Sequence, residues 1–446
     1  MRTKSDELDR RLGRTEHIYW LLDQLYCLNF AAILELEGRL NVTDVQAALD
    51  IVQRENPTLR ASITTDRLGR PRFNSVTADD YPLMLELHGL RNWRQAIETQ
   101  LMTPFERGDA PLARFLWFRG TGKKSVVAMV FHHSIADGKS GVCALLDVLR
   151  RAVGQDLPAA LGSPHFKKAQ PSSQQLDLIH NKGPVAGKLK ELKFWLGMGK
   201  EVLKFPEQLP GYDMTPGDAR KIKTLPFSIS SEASAALLSA CRDHDTTVHG
   251  ALGAALLLAL SDEFEETKSR YLALNSLVDL RIGLEGELTD QDLGLYISTL
   301  TTVHKLDEQP DFWRLAREIP DYLKAIINSG EANIINSVYP EAPLYTPDRS
   351  GARRLQKVVA SAPPGSMLTN IGRVNVLPLG SDFHIRALSF AVSPPVQHPI
   401  CMTTASYDGE IYGNVLYDQC KLKETQAKRI TKKILGRLQR EGAGLP

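Results

Sequence analysis

His132 to Gly138 reads HHSIADG, and the sequence on either side of it fixes the local fold. Ser125 to Phe131 (SVVAMVF) is a β-branched apolar run of the kind that forms a buried strand. Val142 to Val153 alternates as an amphipathic helix does. The spacing therefore predicts a strand, a tight turn and a helix. Side chains on a strand alternate faces, so His132 and His133 are expected to point to opposite sides, and only one of them can serve a given cavity.

Two histidines and an aspartate are also metal ligands. Adjacent strand histidines diverge, however, and no further His or Cys cluster lies nearby in the sequence, so no metal site is expected. A core histidine followed by an aspartate that caps the helix is the structural alternative.

The chain has 446 residues, of which 43% are hydrophobic, enough for two globular domains. Its 54 basic and 52 acidic residues leave a formal charge of +2, too weak a field to imply nucleic acid as a partner. The five cysteines (Cys27, Cys143, Cys241, Cys401, Cys420) are scattered without a Cys-x-x-Cys pair and are read as buried thiols of a reducing compartment. MRTKSDELDRRLGRTE at the N-terminus has no apolar core of signal-peptide type, so a cytoplasmic location is expected. Ala251 to Leu260, the longest apolar run, is far short of a membrane span and reads as a core helix.

Strand and helix signals divide the chain into three parts: residues 1–165 with the HHSIADG segment, a connection over 166–224, and 225–446. In the first part, Asn29 to Leu36 is extended, Val42 to Arg54 is a helix capped by Asn41 or Thr43, Leu59 to Phe73 is a hairpin, and Trp93 to Met102 is a helix. Pro111 to Arg119 pairs with the strand that precedes the histidines. In the connection, Lys188 to Lys204 is a basic amphipathic helix with Leu189, Leu192, Leu196 and Leu203 on one face. Packing of that face on the protein itself is preferred over peripheral contact with a membrane.

The third part opens with a strand at Lys223–Ile229 and helices at Ser231–His244 and Thr246–Leu260. Strands at Arg270–Val278, Leu295–His304, Ser366–Asn375, His384–Val392, Ile400–Tyr407 and Ile411–Tyr417 follow, with a turn at Asp408-Gly409 and a closing helix at Lys421–Arg440. The expected fold class is α+β, as two-layer α/β sandwiches.

These segments together resemble the acyltransferase superfamily that includes peptide-synthetase condensation domains, polyketide-associated acyltransferases, wax ester synthases and chloramphenicol acetyltransferase. Besides HHSIADG, the resemblance is carried by Arg54–Arg60 (RENPTLR), Thr103–Arg114 (TPFERGDAPLAR), Val278–Arg281 (VDLR) and Asp292–Leu300 (DLGLYISTL) in the family's order. Asn56 stands where a His is usual, Glu106 replaces an Asp, and Thr369–Arg373 (TNIGR) departs from the Asn-Val-Pro-Gly-Pro run of wax ester synthases. The polyketide-associated or condensation-like branch is thereby favoured.

The resemblance implies two chloramphenicol-acetyltransferase-like domains in a V, with a tunnel along their interface and His133 in it as general base. A free imidazole is mostly neutral at pH 7, as a base that deprotonates an attacking hydroxyl or amine must be. Asp137 is read as structural, a buried carboxylate whose cation the resemblance supplies as Arg281. Gly138 is expected to take a positive φ or to permit close backbone approach to a pantetheine arm. His132 supports from the core, and Asn370, Ser298 and Thr299 are candidates for tunnel lining or for the oxyanion.

The function implied is that of a freestanding acyltransferase. It moves an acyl group from a thioester, on coenzyme A or on an acyl-carrier protein's phosphopantetheine, to an alcohol, with no permanent cofactor. An amide-forming condensation protein acting on carrier-bound substrates is the second reading, and a catalytically silent scaffold of the same fold is the third.

Overall fold

The computed structural model describes residues 7–155, 170, 196–197, 199–214, 219–282, 288–329, 345–360, 362–376, 379–380 and 382–444. In the first half, helix α1 (Arg14–Tyr26) leads into strand β1 (Asn29–Glu37) and helix α2 (Val42–Glu55). The hairpin β2 (Ala61–Thr65) and β3 (Pro71–Ser75) follows, then β4 (Leu85–Gly89), α3 (Trp93–Leu101), β5 (Ala113–Arg119), β6 (Lys124–His132) and α4 (Gly138–Ala152). The second half contains β7 (Ile222–Ile229), α5 (Ser231–Asp243), α6 (Val248–Ser261), β8 (Arg270–Asp279), β9 (Ile297–Leu306), α7 (Phe312–Asn328) and α8 (Arg349–Val359). It ends with β10 (Gly365–Arg373), β11 (His384–Val392), β12 (Cys401–Tyr407), β13 (Glu410–Asp418) and α9 (Glu424–Gly442).

Two sheets carry these elements. The first has the order β11-β1-β6-β5-β4 and the second β7-β13-β12-β10-β8-β9. Central strands are apolar along their whole length because helices or the other lobe cover both faces; β6 is buried from Ser125 to His132. Helix α6, whose residues from Gly250 to Leu260 are all buried, is the apolar core helix of the second lobe. Among the described residues no helix is long and apolar enough to cross a membrane.

One strand crosses the order of the chain. β11 belongs by sequence to the second half, yet it pairs antiparallel with β1, from Phe30 opposite Val392 to Glu37 opposite His384. A division at residue 225 by sequence order therefore does not describe the sheets, because β1 has an open edge that β11 closes. Arg220 ties the same seam. Its side chain, 2% exposed, pairs with Asp418 at 3.2 Å, donates to the Tyr26 carbonyl at 3.0 Å, and reaches the Pro394 carbonyl just beyond β11.

Four further elements have no counterpart in the sequence reading. α1 starts at Gly13, whose backbone N–H donates to Glu16 Oε2 at 2.6 Å, so a glycine without a capping side chain stands where Ser, Thr or Asp would have signalled a start. β4 is a short, mostly exposed strand beside β5. α7 carries an internal proline, Pro320, which reads as a helix stop. α8 is dominated by polar residues, with Gly351, Ala352 and Leu355 buried.

Two surface expectations are corrected. In the Lys188–Lys204 segment, Leu189, Lys190, Leu192, Lys193 and Trp195 lie outside the described residues. Leu196 (60%) and Leu203 (68%) are exposed rather than packed on the protein. Of the cysteines, Cys241 and Cys401 are buried, Cys27 and Cys143 are half-buried, and Cys420 is exposed, on the turn after β13.

Candidate active site

β6 ends at His132, so the following histidine sits in the turn rather than on the strand, and the two rings diverge through the turn instead of through the pleat. His132 accepts from the Ser134 backbone N–H at Nδ1 (3.1 Å) and directs Nε2 toward Asp23 of α1 at 3.6 Å. The ring of His133 lies against Tyr19 of α1 and Phe30 of β1, at centroid distances of 4.5 and 4.9 Å. Its Nδ1 is 3.0 Å from the Ala136 carbonyl oxygen. A carbonyl only accepts, so Nδ1 carries the proton and Nε2 holds the free lone pair. Burial pushes this imidazole down to about 4, against the smaller opposing pull of Asp137, so the ring is neutral at pH 7.

Asp137 joins the turn to the other lobe. It is fully buried, and its Oδ1 caps α4 by accepting from the Ser140 backbone N–H and hydroxyl, both at 3.0 Å. Oδ2 accepts from Arg281 Nη1 at 2.9 Å and from the Tyr296 backbone N–H at 3.0 Å. Capping and ion pairing, which the sequence reading treated as alternatives, are both present. Burial works to raise this carboxyl, but the Arg281 guanidinium and the two backbone N–H donors outweigh it and hold it below the usual carboxylate range. Arg281 is itself 5% exposed, pairs also with Asp279 at 3.1 Å, and stacks over the Tyr296 ring at 4.8 Å.

Gly138 is the first residue of α4 and lies outside the left-handed region, which corrects the expectation of a positive φ. Close approach is what its position requires: a Cβ there would stand 3.2 Å from the Phe390 ring of β11. Next to it, Lys139 bridges the lobes through Asp279 at 3.1 Å and Asp290 at 2.7 Å. Ser298 and Thr299 lie on β9, in register with Val278 and Leu277 of β8. Asn370 lies on β10, and its Oδ1 accepts from the Gly372 backbone N–H at 2.9 Å.

The structure thus brings His133, Asp137, Gly138 and Arg281 together where α4, β11 and the end of β8 meet. Tyr19, Phe30, Tyr296 and Lys139 are part of the same assembly. Tyr19 was illegible in sequence because its helix was, and nothing in the sequence linked Lys139 to Asp290.

A cleft of about 190 Å³ lies alongside α4, and of the residues in that assembly only Lys139 lines it; His133 is buried and is not among its lining residues. One wall is a continuous face of α4, with Lys139, Val142, Cys143, Leu146, Asp147 and Arg150 at helical spacing. Ile371, Arg373 and Asn375, at the end of β10, contribute to the other. Burial raises the Cys143 thiol to about 11, which leaves it an inert part of the wall.

A histidine-bearing turn at the junction of two sheet-and-helix lobes defines a class, and the sequence comparison gives the family: the condensation-domain family matches residues 19–332, and the chain belongs to it. Surfactin synthase subunit 2 from Bacillus subtilis (strain 168) is 23% identical over 297 residues, 66% of this chain and 8% of that protein. Chondramide synthase cmdD from Chondromyces crocatus is 29% identical over 214 residues, 45% of this chain and 5% of that protein. The chain therefore spans only a small fraction of the length of these relatives.

Among solved structures, the first condensation domain of the calcium-dependent antibiotic synthetase superposes with a TM-score of 0.72 at 14% identity, covering 98% of this chain and 96% of that one. Polyketide synthase associated protein 5 from Mycobacterium tuberculosis gives 0.70 at 14% identity, covering 98% and 99%. Trichothecene 15-O-acetyltransferase from Fusarium sporotrichioides gives 0.71 at 12% identity, covering 99% and 96%. The fold is that of two chloramphenicol-acetyltransferase-like lobes of mixed α and β structure.

Proposed function

We propose that the protein transfers an acyl group from a thioester, carried on phosphopantetheine or coenzyme A, to an alcohol, with His133 as general base. The observation that carries this reading is the state of the His133 ring. It is neutral, its Nδ1 proton is committed to the Ala136 carbonyl, and its Nε2 is left with a free lone pair.

In the reaction the acceptor O–H gives its proton to Nε2 as the oxygen attacks the thioester carbonyl. The tetrahedral intermediate then collapses with loss of the thiolate, which takes the proton back from Nε2. Asp137 does not touch the reacting atoms in this scheme. It fixes the turn by joining the α4 N-terminus to Arg281. Ser298, Thr299 and Asn370 stand as candidates for polar groups near the ligand, and the oxyanion is assigned to none of them.

A second reading, amide formation on carrier-bound amines, is favoured by the condensation-family match and by the peptide synthetases among the relatives. Mass spectrometry of products separates the two after incubation with acyl-coenzyme A or acyl-carrier protein and a panel of alcohols and amines. An ester product supports the first reading, and an amide formed only from carrier-bound substrates supports the second. Undiminished transfer by His133→Ala would overturn both.

A further inference from the structure

Three of the four edges of the two large sheets are closed by side chains, and one is left open. At β7 the outward N–H of Thr224 donates to Glu98 of α3 at 2.8 Å, and Pro226 has no N–H to offer. At β9 the Val303 N–H donates to Glu201 at 3.0 Å. The outer carbonyls of β11 accept from the second lobe: Arg386 from the Tyr412 hydroxyl at 2.9 Å, and Phe390 from Thr403 and Asn414 at 2.7 and 3.0 Å. The fourth edge is β4.

β4 runs parallel to β5, and the Leu90 N–H just beyond it donates to the Arg119 carbonyl at 2.9 Å. Main-chain groups of alternate residues turn to the same side of such a strand. Those of Glu86 and His88 therefore face β5, while those of Leu85, Leu87 and Gly89 face outward. Gln46 of α2 takes the Leu85 N–H at 2.9 Å. Among the described residues the N–H groups of Leu87 and Gly89 have no partner, and the Leu87 side chain is 49% exposed. A Cβ on Gly89 would meet nothing within 4 Å, so nothing in its own chain calls for a glycine there.

We propose that this edge pairs with the same edge of a second copy of the chain, antiparallel and centred on Leu87, joining two first sheets into one. About that centre the strand is self-complementary. The two Leu87 residues exchange N–H···O=C bonds, each Gly89 N–H reaches the Leu85 carbonyl of the other copy, and Glu86 of each copy stands opposite His88 of the other. Glu86 and His88 are already within 3.5 Å of each other in one chain, so the four side chains form one alternating cluster. Glycine falls opposite Leu85, where the Gln46 side chain occupies the edge, and its bare backbone leaves room for that approach. A few main-chain bonds along a short strand make a small contact, so the association belongs in the micromolar range. None of this rests on the acyl-transfer reading.

Sedimentation velocity of the full chain from about 1 to about 300 μM tests the proposal, and the weight-average coefficient should climb from monomer toward dimer. Leu87→Glu sets two carboxylates against each other at the centre and should weaken dimerisation on the order of tenfold or more. Leu87 is exposed and outside the core cluster, so the variant should keep the parent's circular dichroism spectrum. Glu86→Lys should weaken the dimer several-fold, and adding His88→Glu, which reverses both cross-strand pairs, should restore it. His88 also stacks on Phe118, so Gly89→Val, which adds bulk opposite Leu85 and touches no core residue, provides an independent weakening variant. A monomer at every concentration would overturn the proposal, as would a dimer that Leu87→Glu and Gly89→Val leave unchanged.

Discussion

Replacing Asp137 with Asn perturbs the junction of the lobes with almost no change in shape. The carboxylate receives four hydrogen bonds, two from Ser140 at one oxygen and those of Arg281 and Tyr296 at the other. An amide has one acceptor oxygen, so whichever way it turns, its NH2 faces donors that the carboxylate satisfied. Breaking a buried ion pair costs about 3–5 kcal/mol. Arg281 keeps Asp279 at 3.1 Å, which points to the lower end, about 3 kcal/mol. For a lobe-sized cooperative unit that corresponds to a melting temperature lower by roughly 6–12 °C.

The pH dependence has a definite sign. The folded carboxyl lies below its unfolded value near 3.9, so its stabilisation is complete above that value and is lost as the pH falls through the folded pKa. Thermal denaturation followed by circular dichroism should therefore give a parent-to-variant gap that is constant from pH 7 to 5 and narrows only below about pH 4. Equal melting temperatures at pH 7 would refute the pairing argument. A gap that closed between pH 7 and 5 would refute the carboxylate as its source.

Three other outcomes follow from particular contacts. With a responsive substrate, His133→Ala should lower turnover by about 10²–10⁴ in protein that is still folded by circular dichroism, and the acid limb of kcat/KM in the parent should fall near pH 4, where the buried imidazole protonates; a limb near pH 6.5 would contradict the effect of burial. Arg220→Met leaves Asp418 buried without its cation and should cost about 3–5 kcal/mol, read as a lower urea midpoint. Gly141→Ala drives a methyl to 2.6 Å from the Phe30 ring, so despite the better helix propensity of alanine it should lose about 1–3 kcal/mol, and a more stable variant would show that the α4–β1 contact can yield.

Burial of His133 is itself part of the chemistry. The cost of charging the ring in an apolar setting keeps it unprotonated at neutral pH, and the same cost makes proton acceptance favourable only when negative charge develops beside it. Nearby, the charged side chains that join the lobes, Asp137 with Arg281 and Lys139 with Asp279 and Asp290, pair with one another across the seam.

The sequence by itself determined the elements with strong local signals: the strand, turn and helix around HHSIADG, the hairpin at Asp408-Gly409, and the apolar helix at Val248–Ser261. Alternation, capping residues and turn glycines act over a few neighbours, and so they are written in the chain. Helix α1 escaped because its cap is a backbone N–H held by a glutamate, and α7 because Pro320 imitates an end. Only the tertiary structure decided that β11 closes the first sheet, and that Asp137 at once caps α4 and holds Arg281 in the other lobe. Those facts join residues more than a hundred positions apart, and local sequence patterns do not carry that information.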